Sequence, residues 1–265
     1  DSDGFTVNST DQNVNASSEK FVSWNWKAGG GAGSSNTDGS INTTYTSVNT
    51  TAGFSISKYT GTGSSTNYGH GLGVAPKVIL TKNLTSGTAA WRVSTTVIDG
   101  TYDFLHLNTT GTKSDDSVTA PSSSLIYLDN STQTNTSSQN YISYAFAEKI
   151  GYSKFGIYRG NQVVDGTFCY TGFKPSLVIL KNTEVTEHWA MHDNKRPGYN
   201  GNGYFIYPNL SNAEVANSTS HTIDLLSNGF KVRSDNDQWN DDKKMFYMAF
   251  GQSLVGSNNV PATAR

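Results

Sequence analysis

The sequence predicts an all-β chain, built as tandem antiparallel β-sandwich repeats of jelly-roll or lectin-like type, and three observations carry that reading. Ser, Thr and Asn number 33, 31 and 26 of 265 residues, with 26 Gly beside them, and these residues favour turns over helices. Apolar residues alternate with polar ones in short runs bounded by turn residues, with no long helical pattern. Blocks of sequence return after about a hundred residues, a period that suits a small domain rather than the rung of a solenoid.

Taken in order, residues 1–27 read as the C-terminal hairpin of a preceding, incomplete repeat, with strands at 4–8 and 20–27. Asp3-Gly4-Phe5-Thr6-Val7 resembles Asn228-Gly229-Phe230-Lys231-Val232, and Phe21-Val22-Ser23-Trp24-Asn25-Trp26-Lys27 alternates like the strands that close the later repeats. A lone hairpin is marginal in water. Upstream sequence, another repeat of this chain or a neighbouring subunit must complete it, and upstream sequence is the expectation. Trp24 and Trp26, two apart, share one face of such a strand, for core packing or for a subunit interface. Residues 28–53 follow as a Gly/Ser/Thr/Asn-rich linker with one strand at 40–48, flexible from Gly29 to Gly39.

The first sandwich repeat spans 54–154 and the second 155–253, with a C-terminal tail at 254–265. Val78-Ile79-Leu80-Thr81-Lys82-Asn83 matches Leu177-Val178-Ile179-Leu180-Lys181-Asn182, behind Pro76 and Pro175 respectively. Each copy then carries one tryptophan, Trp91 or Trp189, expected as a core anchor. Strands at 102–108 and 203–207 correspond, and the copies close on 141–148 and 244–251. A short helical turn is expected at 209–215, with Ser211 as its cap and Glu214 three residues on.

Charge and cysteine content narrow the partners. Nineteen basic residues against 21 acidic ones give a net charge of −2, which leaves no basic field for nucleic acid. No stretch approaches the ~20 apolar residues of a membrane-spanning helix. The single cysteine, Cys169, can form neither an intrachain disulfide nor a multi-cysteine metal site, and reads as a small buried thiol. The chain opens Asp1-Ser2-Asp3, without Met or a signal-like stretch, so processing or a longer parent protein is expected.

Few residues suggest chemistry. His70 lies in a glycine-rich turn that precedes a strand, whereas phosphate-cradling loops follow one. His188 and His192, four apart on a strand, stand ~13 Å from each other and do not share one ion. The loop from Ser234 to Asp242 crowds carboxylates around one tryptophan. Asp235, Asp237 and Asp241 make it a candidate calcium loop, though without the glycine and distal Glu of an EF-hand. Trp239 either tucks onto its own sheet or stands out as an anchor for a partner or sugar ring. The turn from Lys195 to Gly203 offers Arg196, Tyr199 and Asn200 as a further contact surface. No nucleophile elbow or metal triad occurs, and Glu184 and Glu187 are spaced so that they cannot share a strand face. The expectation is therefore no enzyme and no cofactor.

Tyr68-Gly69-His70-Gly71-Leu72-Gly73-Val74-Ala75-Pro76-Lys77, followed by an apolar strand ending in Lys82-Asn83, resembles an uncharacterised tandem repeat domain of marine tailed-bacteriophage virion proteins. So do the run from Phe21 to Gly30, Tyr170-Thr171-Gly172-Phe173-Lys174-Pro175, Asp193-Asn194-Lys195-Arg196 and the terminal Pro261-Ala262-Thr263-Ala264-Arg265. The resemblance implies a structural or fibre-like component on the virion surface, without catalysis, lying inside a longer protein whose C-terminus is natural. Its implied partners are other virion subunits, most simply copies of itself, and no nucleic acid or membrane. Two roles follow. One is a tail fibre or spike module that recognises bacterial surface glycans, with weak contacts multiplied by copy number. The other is an architectural head-decoration or fibre spacer. A glycan site requires Trp239 or Tyr199 on an open surface near amide side chains, whereas a spacer hides them in contacts between repeats or subunits.

Overall fold

The structure is a computed structural model that describes residues 5–196 and 200–251. It is almost entirely β. The first half carries β1 (Tyr45–Asn49), β2 (Phe54–Thr60), β3 (Thr66–Gly69), β4 (Val78–Asn83), β5 (Arg92–Thr95), β6 (Asp103–His106), β7 (Ser114–Asp115), β8 (Leu125–Leu128) and β9 (Asn140–Phe146). The second carries β10 (Ser153–Arg159), β11 (Phe168–Tyr170), β12 (Pro175–Asn182), β13 (Ala190–Asp193), β14 (Ile223–Leu226), β15 (Gly229–Val232) and β16 (Lys244–Gly251). Two helical turns accompany them, α1 (Gln12–Asn15) and α2 (Asp237–Asn240).

One sheet runs β1-β2-β9-β4-β5-β6-β7 and a second runs β10-β16-β12-β13. The block β2-β9-β4-β5 has the same order as the whole second sheet, and in both the closing strand lies in the middle. The likeness extends to single hydrogen bonds. Asn135 accepts from Thr62 N (2.7 Å) and donates to the carbonyls of Ser64 and Asp129. Asn240 accepts from Asn161 N (3.0 Å) and donates to those of Val163 and Ser234. The Tyr59 hydroxyl donates to Thr134 O and that of Tyr158 to Trp239 O. Asn83 and Asn182 each accept two amides of the turn that follows, and Asn108 and Asn209 each accept the amide of their repeat's tryptophan.

Period-two alternation sends the two faces of each closing strand into different cores. In β9, Tyr141 and Ala145 face the β3-β8 ladder, while Phe146 faces the other repeat. In β16, Met245, Tyr247 and Ala249 pack toward the β11-β15-β14 sheet, and Phe246, Met248 and Phe250 face the first repeat. The two repeats thus lie sheet against sheet, with a small sheet covering each outer face. Hydrogen bonds cross the joint, among them Trp189 Nε1 to His106 O (2.9 Å), Lys181 Nζ to Thr110 O (3.2 Å) and Lys113 N to Thr183 O (2.9 Å).

Three expectations are corrected. Residues 5–27 form no strand, so the hairpin expected at 1–27 is absent among the described residues. Closing strands are central, flanked on both sides, and no third pair of flanking strands is present here for Phe21–Lys27 to enter. The chain instead makes α1, where the Asp11 side chain accepts from Asn13 N (2.8 Å). Residues 28–53 are not a loose linker, because Ser34 bridges Thr46, Ile41 bridges Tyr68 and β1 extends the first sheet. Gly33 and Gly39 serve close approach rather than flexibility: a Cβ would stand 2.2 Å from Thr46 O and 2.5 Å from Tyr68 Cα respectively. The turn at 209–215 is not helical, since Val215 returns to bridge Phe205. The tail at 254–265 lies outside the described residues.

Asn135 and Asn240 are fully buried, and truncating either removes three hydrogen bonds to backbone groups, one amide and two carbonyls. Asn135→Ala and Asn240→Ala are each expected to cost about 2–3 kcal/mol, visible as a lower urea-unfolding midpoint. Values below a few tenths for both would mean that these bonds do not anchor the repeats.

Candidate functional site

Between the two inner sheets lies an apolar cleft of about 420 Å³. Four of the chain's five tryptophans line it: Trp24, Trp26, Trp91 and Trp189. Trp26 meets Phe146 of the first repeat edge-on (centroids 5.9 Å apart) and Phe250 of the second (5.1 Å), so one residue touches both closing strands. Trp91 stacks on Tyr144 at 6.4 Å and stays half-buried, whereas its counterpart Trp189 is fully buried and bridges the repeats through its indole N–H. Among the described residues, no Asp, Glu, Lys, Arg or His lines the cleft. Its chemistry is dispersion and ring contact, suited to holding a side chain or ligand.

Trp239 is 1% exposed, which corrects its assignment as an outward contact. Asn236 caps α2 by accepting from Gln238 N (2.9 Å), and that turn swings the indole inward. There it meets His221, Phe205 and His192 at 4.8, 5.1 and 5.4 Å. Arg196 is also corrected as a free contact. Its Nε donates to Asp193 Oδ2 (2.9 Å), its Nη1 pairs with Glu214, and its side chain is only 7% exposed. Asn200 is exposed, and Tyr199 lies outside the described residues.

The expected calcium loop does not assemble. Asp235, Asp237 and Asp241 do not bring their carboxylate oxygens within one ion's reach, and Asp241 accepts from Gln162 Nε2 (3.1 Å). Among the described residues, only Asp99, Asp103 and Asp115 bring three such ligand groups within one ion's reach. The Lys113 ammonium already sits among them, at 2.5, 2.9 and 2.5 Å. Sequence reasoning noted the paired Trp24 and Trp26 and the matched Trp91 and Trp189. It missed that all four converge, because their meeting depends on how the repeats stack.

His192 is fully buried in the aromatic cage around Trp239, and neither ring nitrogen has a protein partner. Burial pushes its pKa down to about 3, with the Arg196 charge and His221 acting in the same direction.

Residues 1–253 match the family described as Domain of unknown function (DUF7483). No curated protein and no solved structure matches the chain.

Two outcomes follow from these placements. Because the folded state holds His192 neutral while the unfolded chain protonates it near pH 6.5, its contribution is complete above that pH and is lost as pH falls toward about 3. The loss amounts to about 1.4 kcal/mol per pH unit in that window, and His192→Gln flattens the slope of stability against pH by that amount. Trp239→Ala is expected to destabilise the chain by about 3–5 kcal/mol, as removal of a core ring does. A variant of unchanged melting temperature would mean that the ring is not part of the core.

Proposed function

The chain belongs to that family, and from this premise we propose that it is a non-enzymatic structural module of a bacteriophage particle, a fibre or spike segment whose role is architectural. The observation that carries the proposal is the sheet-on-sheet joint. Separating the repeats would bring Phe146, Phe155, Trp189, Phe246, Met248 and Phe250 into water, at about 1.5–3 kcal/mol for each side chain. A tandem unit joined in this way behaves as one stiff body, as a spacer or decoration protein requires. The resemblance of its glycine-punctuated motifs to phage repeat domains supplies the particle, where other subunits, copies of this chain included, are its partners.

Between the two roles weighed from sequence, the placement of Trp239 supports the architectural one. A glycan site built on loop aromatics needs an exposed ring, and Trp239 lies in its own repeat's core while Arg196 is held by two carboxylates. Glycan recognition through this loop retains Asn200 as its exposed amide.

Antibodies raised against the purified chain are expected to decorate fibres, spikes or heads of intact particles that encode it, as seen by electron microscopy. Particles that carry none of the protein would overturn the reading. A glycan array probed with the wild-type chain is expected to stay blank. Binding to a defined bacterial glycan, abolished by Asn200→Ala, would restore the adhesin role.

A further inference from the structure

The four-tryptophan cleft adjoins a second, more polar space of about 250 Å³. Trp24, Asn25, Trp26 and Phe250 line both and form their common wall. Ser176, Asn194 and Lys195 line the second space only, so apolar and polar surroundings meet at that wall. At about 420 Å³, the apolar part falls within the ~300–1,000 Å³ of ordinary small-molecule sites, which combine apolar walls with a few polar groups.

Buried polar atoms without a protein partner gather beside the wall: Trp24 Nε1, Arg196 Nη2 and Asn194 Oδ1. The Arg196 guanidinium carbon stands 6.0 Å from the centre of the Trp24 ring. The indole and the guanidinium are donors with no acceptor atom of their own. Folding has already stripped water from both N–H groups at a cost that no hydrogen bond offsets. An oxygen acceptor brought to them therefore displaces no water, and the bond it makes counts toward affinity almost in full.

Charge decides which oxygen fits. Arg196 already pairs with Asp193 and Glu214, and the neighbouring Lys195 is exposed. Two cations against two carboxylates leave no excess charge for an ionised head group. Among the described residues the cleft adds no charge of its own. A carboxylate would meet Asp193 and Glu214 and would also give up its hydration, whereas a carbonyl oxygen accepts without that cost. The body that fits is aromatic, because Trp26, Trp91 and Tyr144 offer ring faces and edges to it.

We propose that the cleft is a binding site for an uncharged aromatic molecule that carries a carbonyl oxygen. Its rings lie among the four tryptophans, and the oxygen accepts from the Trp24 and Arg196 N–H groups at the wall. The inference goes beyond the particle assignment and does not depend on it, since the purified chain suffices for the test.

Three naphthalene derivatives separate the parts of the proposal in equilibrium dialysis against the full-length chain. Acetylnaphthalene supplies rings and a carbonyl, ethylnaphthalene the same shape without the oxygen, and naphthoate a charged head. Acetylnaphthalene is expected to bind about tenfold more tightly than ethylnaphthalene, the worth of one well-made hydrogen bond. Naphthoate is expected to bind more weakly than either. Trp24→Phe keeps a ring and removes the N–H, so most of the acetyl advantage disappears while ethylnaphthalene still binds. Leu107→Trp and Ile56→Trp each fill the cleft and are expected to abolish binding of all three, with melting curves showing that the variants fold. Acetylnaphthalene that does not bind up to its solubility limit overturns the proposal. So does equal affinity for the acetyl and ethyl compounds, tighter binding of naphthoate, an acetyl advantage that Trp24→Phe leaves whole, or binding that survives both cleft-filling variants.

Discussion

The burial of both faces of β9 and β16 is the constraint on which the other features depend. Each closing strand is the centre of its sheet, and alternation gives it two apolar faces, one for its own small covering sheet and one for the other repeat. A single repeat would leave Phe146 and its neighbours, or Phe246, Met248 and Phe250, as an open apolar sheet. A patch of that kind is rarely left in water by a soluble protein. Stacking the repeats removes both exposed faces in one step, which explains why the joint also recruits Trp189, Lys181 and Lys113 for hydrogen bonds across it.

A second layer of order comes from buried amides. Asn135 and Asn240 tie the loop before each closing strand to the loop after β2 or β10, satisfying backbone groups that no ladder reaches. Because the backbone bonds carry the geometry, the side chains between them are free to differ. Thr134 and Trp239 both present a carbonyl to a tyrosine hydroxyl. Only the second also fills a core, enclosing His192 in an aromatic cage where a charged imidazole is unfavourable.

Much of this was legible in the residues. Most strand positions, the repeat and the matched tryptophans follow from period-two patterns, which depend on local geometry alone; β3 falls where the glycines read as a turn, and 203–207, expected as a strand, makes only isolated bridges. The errors share a physical cause. Phe21–Lys27 has the pattern of a closing strand, yet a strand exists only when neighbours offer backbone partners. Gly33 and Gly39 sit in a run that reads as flexible, yet both are required by a backbone pressed against them. Trp239 stands among aspartates that suggest a wet loop, yet one cap from Asn236 turns it inward.

What the sequence determined by itself was the inventory: an all-β chain, two copies of one unit, few charges, and tryptophans at matched places. These depend on propensity and alternation, interactions within a few residues along the chain. Only the tertiary structure decided that the copies face each other, that four tryptophans meet in one cleft and that Arg196 is bound in place by Asp193 and Glu214. Apart from the Asp193–Arg196 pair, three residues apart, those contacts join residues well separated in the chain, and the free energy that selects them exists only once the sheets are assembled.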